Sequence, residues 1–230
     1  MNGHNVYTGT LIYDGEQMMM PRIMPYLDPG AITVAGDRIF FFLRYRDEKA
    51  TYLASVRTDG SEFHVYEDYK VSGMSLQSDG EHVYVILEPE ENRQCPASMD
   101  PETGIMTPLT SQTEYIDTSE YPIQKMTLDG DQLWIEFRIG DSAVYEYYDL
   151  AGGELHDCER LTGIWVQGIC GGWVYYQADG VLTAWNYRTD EMKQWPQADS
   201  RFSVMTVSSW GVLLRETADW WLLDLETGNM

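Results

Sequence analysis

Four aspartates at predicted turns are the residues of this sequence best suited to acid–base or metal chemistry. Asp37, Asp79, Asp129 and Asp131 each lie at the turn that follows the first strand of a repeated unit. Two carboxylates that share a cleft can act as proton donor and proton acceptor on a glycosidic bond. The chain has 37 acidic residues, so spacing alone selects no catalytic pair. These four are therefore candidate ligand-binding residues, and no catalytic residue is predicted.

Two tryptophans are the second set of candidates. Trp195 stands beside Pro196, and Trp210 stands at a predicted turn. Both positions suit packing between sheets less well than the tryptophans within strands do. A tryptophan at a turn can anchor a protein or sugar ligand through its large apolar ring. Both residues are therefore candidate ligand contacts, with packing between blades as the alternative.

Other catalytic and metal-binding patterns are missing from the sequence. It contains no GxSxG, GxGxxG or P-loop motif. The three cysteines form no CxxC pair and the four histidines are dispersed, which argues against zinc. Three consecutive methionines, Met18 to Met20, would alternate between faces of a strand, so they predict an outer strand rather than a copper site. No metal or cofactor is predicted.

A repeated phrase determines the expected fold. The phrase occurs five times and has three positions: an apolar residue (polar in one copy), then a small or hydroxyl residue, then an aliphatic residue. Each copy precedes a turn and an aromatic-rich strand. The copies are spaced 38 to 52 residues apart. A period near 40 residues with four short strands per unit is typical of β-propeller blades. The central residues of the copies are Thr33, Ser75, Thr127, Gly168 and Thr206.

The repeat predicts an all-β propeller of four-stranded antiparallel blades, about five in number, in a single domain over residues 1–230. Turns such as Asp79-Gly80 and Asp129-Gly130 suit two-residue hairpins, because Gly, Asp and Asn tolerate positive φ angles. The predicted segments are a partial blade of third and fourth strands at 1–30, complete blades at 31–70, 71–115, 116–163 and 164–201, and an incomplete blade at 202–230.

The two chain ends raise the question of ring closure. The predicted strand Val6 to Tyr13 corresponds to a third strand, and Gln17 to Met20 to a fourth. The last unit lacks a fourth strand after Trp220 to Leu225. Either Gln17 to Met20 completes a five-blade ring, or the chain is part of a larger ring. An unclosed ring exposes strand edges, which favours closure. We nevertheless expect an open or imperfectly closed arc, because Val6 to Tyr13 would compete with Trp220 to Leu225 for the same place.

The net charge narrows the range of partners. A formal net charge of -22 and a pI near 4.3 disfavour nucleic acid and anionic membrane surfaces, because the protein would repel phosphate groups. No apolar stretch reaches the roughly 18 residues needed to span a membrane. The first residues show no signal-peptide pattern. Proteins and polysaccharides therefore remain as the candidate ligands.

Residues 31–70 resemble the repeats of a known family of propeller domains. The segment Gly36 to Phe41 followed by the hairpin Tyr52 to Ser61 resembles bacterial propeller domains of unknown function, which are related to low-density-lipoprotein-receptor and TolB-like propellers. The receptor-type Tyr-Trp-Thr-Asp signature is missing at its expected place. The resemblance implies a propeller and an extracytoplasmic or cell-envelope binding role. It implies no catalytic residue.

Two functions are consistent with these observations. The first is a non-catalytic propeller that binds a protein or polymer ligand through its loops or central channel. The alternative is a carbohydrate-active enzyme or lectin with a carboxylate-lined central site. The enzyme requires at least two acids and an aromatic platform in one cleft, whereas the binding module does not.

Overall fold

The computed structural model describes residues 5–7, 10–12, 23–25, 32–45, 50–110, 116–119 and 121–230. Within these ranges the regular structure is β-strand, with a short 3₁₀ turn at Glu159–Leu161 and no α-helix. The predicted strand Gln17 to Met20, with its methionine run, lies outside the described residues.

The strands follow one another along the chain with short connections. They are β1 (Asn5–Tyr7), β2 (Thr10–Ile12), β3 (Ile23–Pro25), β4 (Ile32–Ala35), β5 (Arg38–Tyr45), β6 (Thr51–Arg57), β7 (His64–Val65), β8 (Val71–Ser78), β9 (Val83–Glu90), β10 (Arg93–Met99), β11 (Met106–Pro108), β12 (Ile116–Asp117), β13 (Ile123–Asp129), β14 (Gln132–Ile139), β15 (Ser142–Asp149), β16 (Glu154–Asp157), β17 (Val166–Cys170), β18 (Trp173–Ala178), β19 (Val181–Asn186), β20 (Met192–Asp199), β21 (Ser203–Val207), β22 (Gly211–Glu216) and β23 (Asp219–Asp224).

The strands pair in sequence order as antiparallel sheets. Strands β13 to β16 form one four-stranded sheet, β17 to β20 form another, and β21 to β23 form a three-stranded sheet. In the first part of the chain, β4 to β7 and β8 to β11 follow the same order. They join one ten-stranded sheet through a single β6–β8 pair, Thr51 opposite Val71. The predicted repeat of four short antiparallel strands is therefore present.

The chain divides into two compact units, residues 1–126 and residues 127–230. In the first unit, a core that includes Phe40, Leu53, Val85 and Met99 fills the space between β4–β7 and β8–β11. In the second unit, two apolar clusters pack the successive sheets onto each other. Large rings such as Trp134 are fully buried there.

The small residue at the centre of each repeat phrase has a packing reason. Ser75 in β8 donates a hydrogen bond to the carbonyl of Met126 and accepts one from its N–H, both at 3.0 Å. In the second unit, a Cβ added to Gly168 in β17 would lie 2.8 Å from Val207 Cγ2 in β21. First strands of successive sheets thus approach each other too closely for a larger side chain at this position.

A second repeated element is a turn that follows the third strand of a sheet. At Asp100, Asp149 and Asp224 the side-chain Oδ1 accepts two backbone N–H bonds from the residues two and three positions later. Asn186 does the same. These Asx-type turns hold a tight reversal. The bonds from the N–H groups of Thr103 and Glu102 lower the pKa of Asp100.

The N-terminal strand assignment differs from the prediction. Residues Val6 to Tyr13 were expected to form one third-type strand. Instead β1 and β2 pair with each other as an antiparallel hairpin, with Val6 opposite Leu11.

Candidate functional site

The Asp79 carboxylate is occupied by its own turn. It accepts hydrogen bonds from the N–H groups of Glu81 at 2.8 Å and His82 at 2.6 Å, and from the Tyr84 hydroxyl at 2.7 Å. Partial burial raises the pKa of Asp79, but the bonds from His82, Tyr84 and Glu81 outweigh it and leave the pKa below its usual value. Such a carboxylate stays ionised and is poorly suited to donate a proton.

Asp37 lies beside the Asp79 turn within the first unit. The N–H of Gly36 donates to the carbonyl of Gly80 at 2.9 Å, which links the two turns. The Asp37 carboxylate pairs with Arg57 at 3.1 Å and is largely exposed. It therefore contributes to a surface ion pair.

Asp129 joins two successive sheets of the second unit. Its two oxygens accept hydrogen bonds from the N–H groups of Gly171 and Gly172, both at 2.7 Å, and from the Tyr187 hydroxyl at 2.8 Å. Burial is the main cause that raises the pKa of Tyr187 to about 12, and the bond to Asp129 also raises it. The Asp129 carboxylate connects the turn after β13 with the turn after β17.

Asp131 completes the same turn region. It accepts a hydrogen bond from the Arg188 guanidinium at 2.9 Å. Arg188 also lies over the Tyr187 ring, 5.4 Å from its centroid. Asp129 and Asp131 are thus brought together, but each is bonded to partners that hold the fold.

The two candidate tryptophans have opposite environments. Trp195, in β20, is only 6% exposed. Its ring stacks on Tyr175 with centroids 6.3 Å apart, inside the cluster between the last two sheets. That burial leaves little surface for a ligand. Trp210 lies in the turn between β21 and β22 and is 65% exposed, so its ring is available.

The last sheet, β21 to β23, carries an exposed apolar surface that sequence reasoning did not single out. On its inner face, Val212, Leu214 and Leu223 are buried in the cluster below the sheet, whereas Trp221 is 39% exposed. Side chains alternate along a strand, so the residues between them point the other way. Arg215, Trp220 and Leu222 are the exposed ones among these.

We call the surface formed by Leu213, Arg215, Trp220 and Leu222 the outer face of the last sheet. Trp220 is 56% exposed and Leu222 is 46% exposed. Arg215 lies opposite Trp220 in the β22–β23 pair, with its guanidinium carbon 5.6 Å from the indole centroid. The sequence signal was the Trp220-Trp221 pair, which places one ring on each face of β23.

A cleft of about 800 Å³, lined by both polar and apolar residues, lies in the first unit near the β9–β10 turn. Acidic residues, among them Glu88 and Glu90, and the basic residues Lys70 and Arg93 line it together. Charges of both signs give it no single ligand preference.

Metal-binding and membrane-spanning features are missing from the described residues. There, no group of three or more His, Cys, Asp or Glu side chains is placed to hold a metal ion. In the same ranges, no helix is long and apolar enough to cross a membrane. The three cysteines are free thiols.

The repeated antiparallel sheets define a β-propeller type of fold, and solved structures confirm this class. The chain is similar to TolB from Acinetobacter baumannii, with a TM-score of 0.50 and 15% identity, over 83% of this chain and 54% of that one. It is similar to an oligogalacturonate lyase from Vibrio parahaemolyticus, with a TM-score of 0.59 and 11% identity, over 90% of this chain and 68% of that one.

A third similar structure is prolyl oligopeptidase B from Galerina marginata. The TM-score is 0.59 at 10% identity, over 88% of this chain and 34% of that one. The chain thus spans about a third to a half of the length of TolB and the peptidases that it matches. No protein-family model matches the sequence, and no curated protein matches it. At these identities the likeness establishes the fold alone.

Proposed function

We propose that this chain is a non-catalytic propeller module that binds a protein ligand through the loops between its strands. The observation that carries the proposal is the 65% exposure of Trp210 in the turn between β21 and β22. Loops that are positioned by a rigid scaffold often carry binding residues. Tryptophan is among the residues that contribute most strongly to contacts with a protein ligand.

The carboxylate contacts support binding over catalysis. Asp79 and Asp129 are each held by three hydrogen bonds, and Asp37 and Asp131 each by an arginine. A glycosidase needs one carboxyl group with a raised pKa. The pKa of Asp79 is instead lowered. The carbohydrate-active alternative therefore has weaker support than a protein-binding module.

The solved neighbours are compatible with either kind of role. TolB and an oligogalacturonate lyase share the fold at low identity, and fold alone does not specify function. A cell-envelope location, a bacterial origin and kinship with low-density-lipoprotein-receptor propellers belong to the same proposal. The support for these three is the resemblance of residues 31–70.

Selection from a phage-displayed peptide library, run beside a glycan array, tests the proposed function. We expect peptides that bind the wild-type protein and lose at least tenfold in affinity with Trp210→Ser. Trp165→Ser is the matched control, because Trp165 is also an exposed tryptophan of the second unit but lies before β17. Binding to glycans without any selected peptide, or equal losses in both variants, would contradict the proposal.

A further inference from the structure

The cleft near the β9–β10 turn has a size that suits a small ligand. Its volume of about 800 Å³ falls within the range of roughly 300 to 1,000 Å³ that is typical of ligand sites. Most of its described lining residues come from residues 68–70, before β8, and from residues 87–94, in the β9–β10 hairpin. The cleft therefore shares no residue with the turn that carries Trp210.

Backbone hydrogen bonds fix the segments that surround the cleft. The N–H of Glu88 donates to the carbonyl of Lys70 at 2.9 Å, which joins the segment before β8 to the hairpin. The N–H of Thr118 donates to the carbonyl of Asn92 at 2.9 Å, which holds the tip of the hairpin. The walls of the cleft are therefore set by the fold, and a ligand orders little backbone when it binds.

An irregularity in the β9–β10 pair directs one side chain towards another in the cleft. The register of the pair shifts between Arg93 and Cys95, at Gln94. Such bulges re-aim a side chain and often lie next to functional sites. The buried Gln94 accepts a hydrogen bond from the N–H of Ile123 at 3.1 Å and donates through Nε2 to Glu88 Oε1 at 3.2 Å. Gln94 is therefore a positioning residue for the Glu88 carboxylate.

Charge alone does not select a ligand for this cleft, but its hydrogen-bonding groups do. Among the described residues, four acidic and two basic side chains line it, so a strongly charged ligand of either sign meets repulsion from part of the lining. A hydroxyl group both donates and accepts hydrogen bonds. It can therefore pair with the carboxylate of Glu88, the guanidinium of Arg93 or the amide of Asn92. These side chains favour a neutral ligand that is rich in hydroxyl groups.

Tyr69 adds an apolar surface beside these polar groups. Its ring is half-buried, packs against the core of the first unit and lines the cleft. Leu87 and Met106 extend the apolar part of the lining. A sugar ring has an apolar C–H face as well as hydroxyl groups, so it can pack on an aromatic ring while its hydroxyl groups bind polar side chains.

We propose that this cleft binds a neutral oligosaccharide, with Glu88, Asn92 and Arg93 bonded to its hydroxyl groups and Tyr69 packed against a sugar ring. The role is binding alone, and no bond of the sugar is made or broken. The inference goes beyond the proposed function, because both the ligand and the binding residues differ from those of the Trp210 turn.

Saturation-transfer NMR with three neutral trisaccharides tests this inference. Maltotriose, cellotriose and mannotriose are each titrated with the wild-type protein. We expect at least one of them to bind with a dissociation constant of about 1 mM or lower. Because the ligand is neutral, its affinity should change less than about twofold between roughly 50 and 500 mM salt.

Two variants of the cleft locate the binding. Asn92 has a positive φ of 60°, which glycine adopts readily, so Asn92→Gly removes the amide and retains the turn. We expect at least a fivefold loss of affinity. Asp179→Gly is the matched control, because Asp179 has a positive φ of 50° in the β18–β19 turn of the second unit. Glu88→Gln retains an acceptor for Gln94 and removes the charge, and it should cost at least tenfold.

Thermal unfolding checks the fold of each variant. The inference is overturned if none of the three trisaccharides binds, or if Asn92→Gly and Glu88→Gln both bind as tightly as wild type. A library-selected peptide that displaces the trisaccharide would assign the cleft to a peptide and also overturn it. Trp210→Ser should reduce peptide binding and leave trisaccharide affinity unchanged, so this inference and the proposed function can fail separately.

Discussion

The hydroxyl of Tyr187 donates a hydrogen bond of 2.8 Å to the carboxylate of Asp129, although 58 residues separate them in the chain. The same carboxylate holds the N–H groups of Gly171 and Gly172. Asp129 therefore links two successive sheets of the second unit. A residue that the sequence suggested as a ligand contact has a structural role in this arrangement.

Replacement of Asp129 is expected to destabilise the protein. Asp129→Ala leaves two backbone donors and one hydroxyl without their acceptor, which costs about 2 kcal/mol in the free energy of unfolding. Urea titration followed by tryptophan fluorescence measures this loss. Asp141→Ala is the matched control, because the Asp141 side chain is fully exposed and meets Arg138 only at 3.9 Å. Its effect should stay within about 0.5 kcal/mol, and equal effects of the two variants would refute the assignment.

The pH dependence of stability should reflect Asp79. Its pKa in the folded state lies below the usual 3.8, because the bonds from His82, Tyr84 and Glu81 outweigh the effect of burial. The carboxylate therefore stabilises the fold above about pH 4, and this contribution is lost as the pH falls through the lowered pKa. The difference in unfolding free energy between wild type and Asp79→Asn should shrink from pH 6 to pH 3. A difference that is constant or grows on acidification would contradict this role.

The close approach of β17 and β21 predicts a strong steric effect at Gly168. A Cβ at this position would lie 2.8 Å from Val207 Cγ2 and 2.9 Å from Val207 Cβ. Gly168→Ala should lower the free energy of unfolding by about 1 to 3 kcal/mol. Val207→Ala provides room, so the double variant should lose less than the sum of the two single losses. Strict additivity in this cycle would show that the two residues do not compete for space.

The sequence predicted the repeat and its turns because both are local. Small residues at Ser75 and Gly168 recur with the blade spacing, and Asp129-Gly130 lies at the expected hairpin. The connection at Asp79-Gly80 is longer than the predicted two-residue loop, since Ser78 lies opposite Val83. These signals arise from backbone conformation and close strand packing, which depend on a few neighbouring residues.

The environments of the tryptophans could not be predicted in the same way. Trp195 lies opposite the buried Leu182 in the β19–β20 pair, so its ring enters the core although Pro196 follows it. The exposure of Trp220 depends on what lies beside the last sheet, which no local pattern encodes. Contacts between residues that are distant in the sequence therefore determine which tryptophan side chains are exposed.

The indole N–H signal of Trp210 in an NMR spectrum, assigned by its loss in Trp210→Ser, tests most directly whether the turn between β21 and β22 contacts the ligand. A saturating peptide selected from the library should shift this signal and leave that of Trp165 unchanged. Shifts confined to other tryptophan signals, with the Trp210 signal unaffected by bound peptide, would contradict the account.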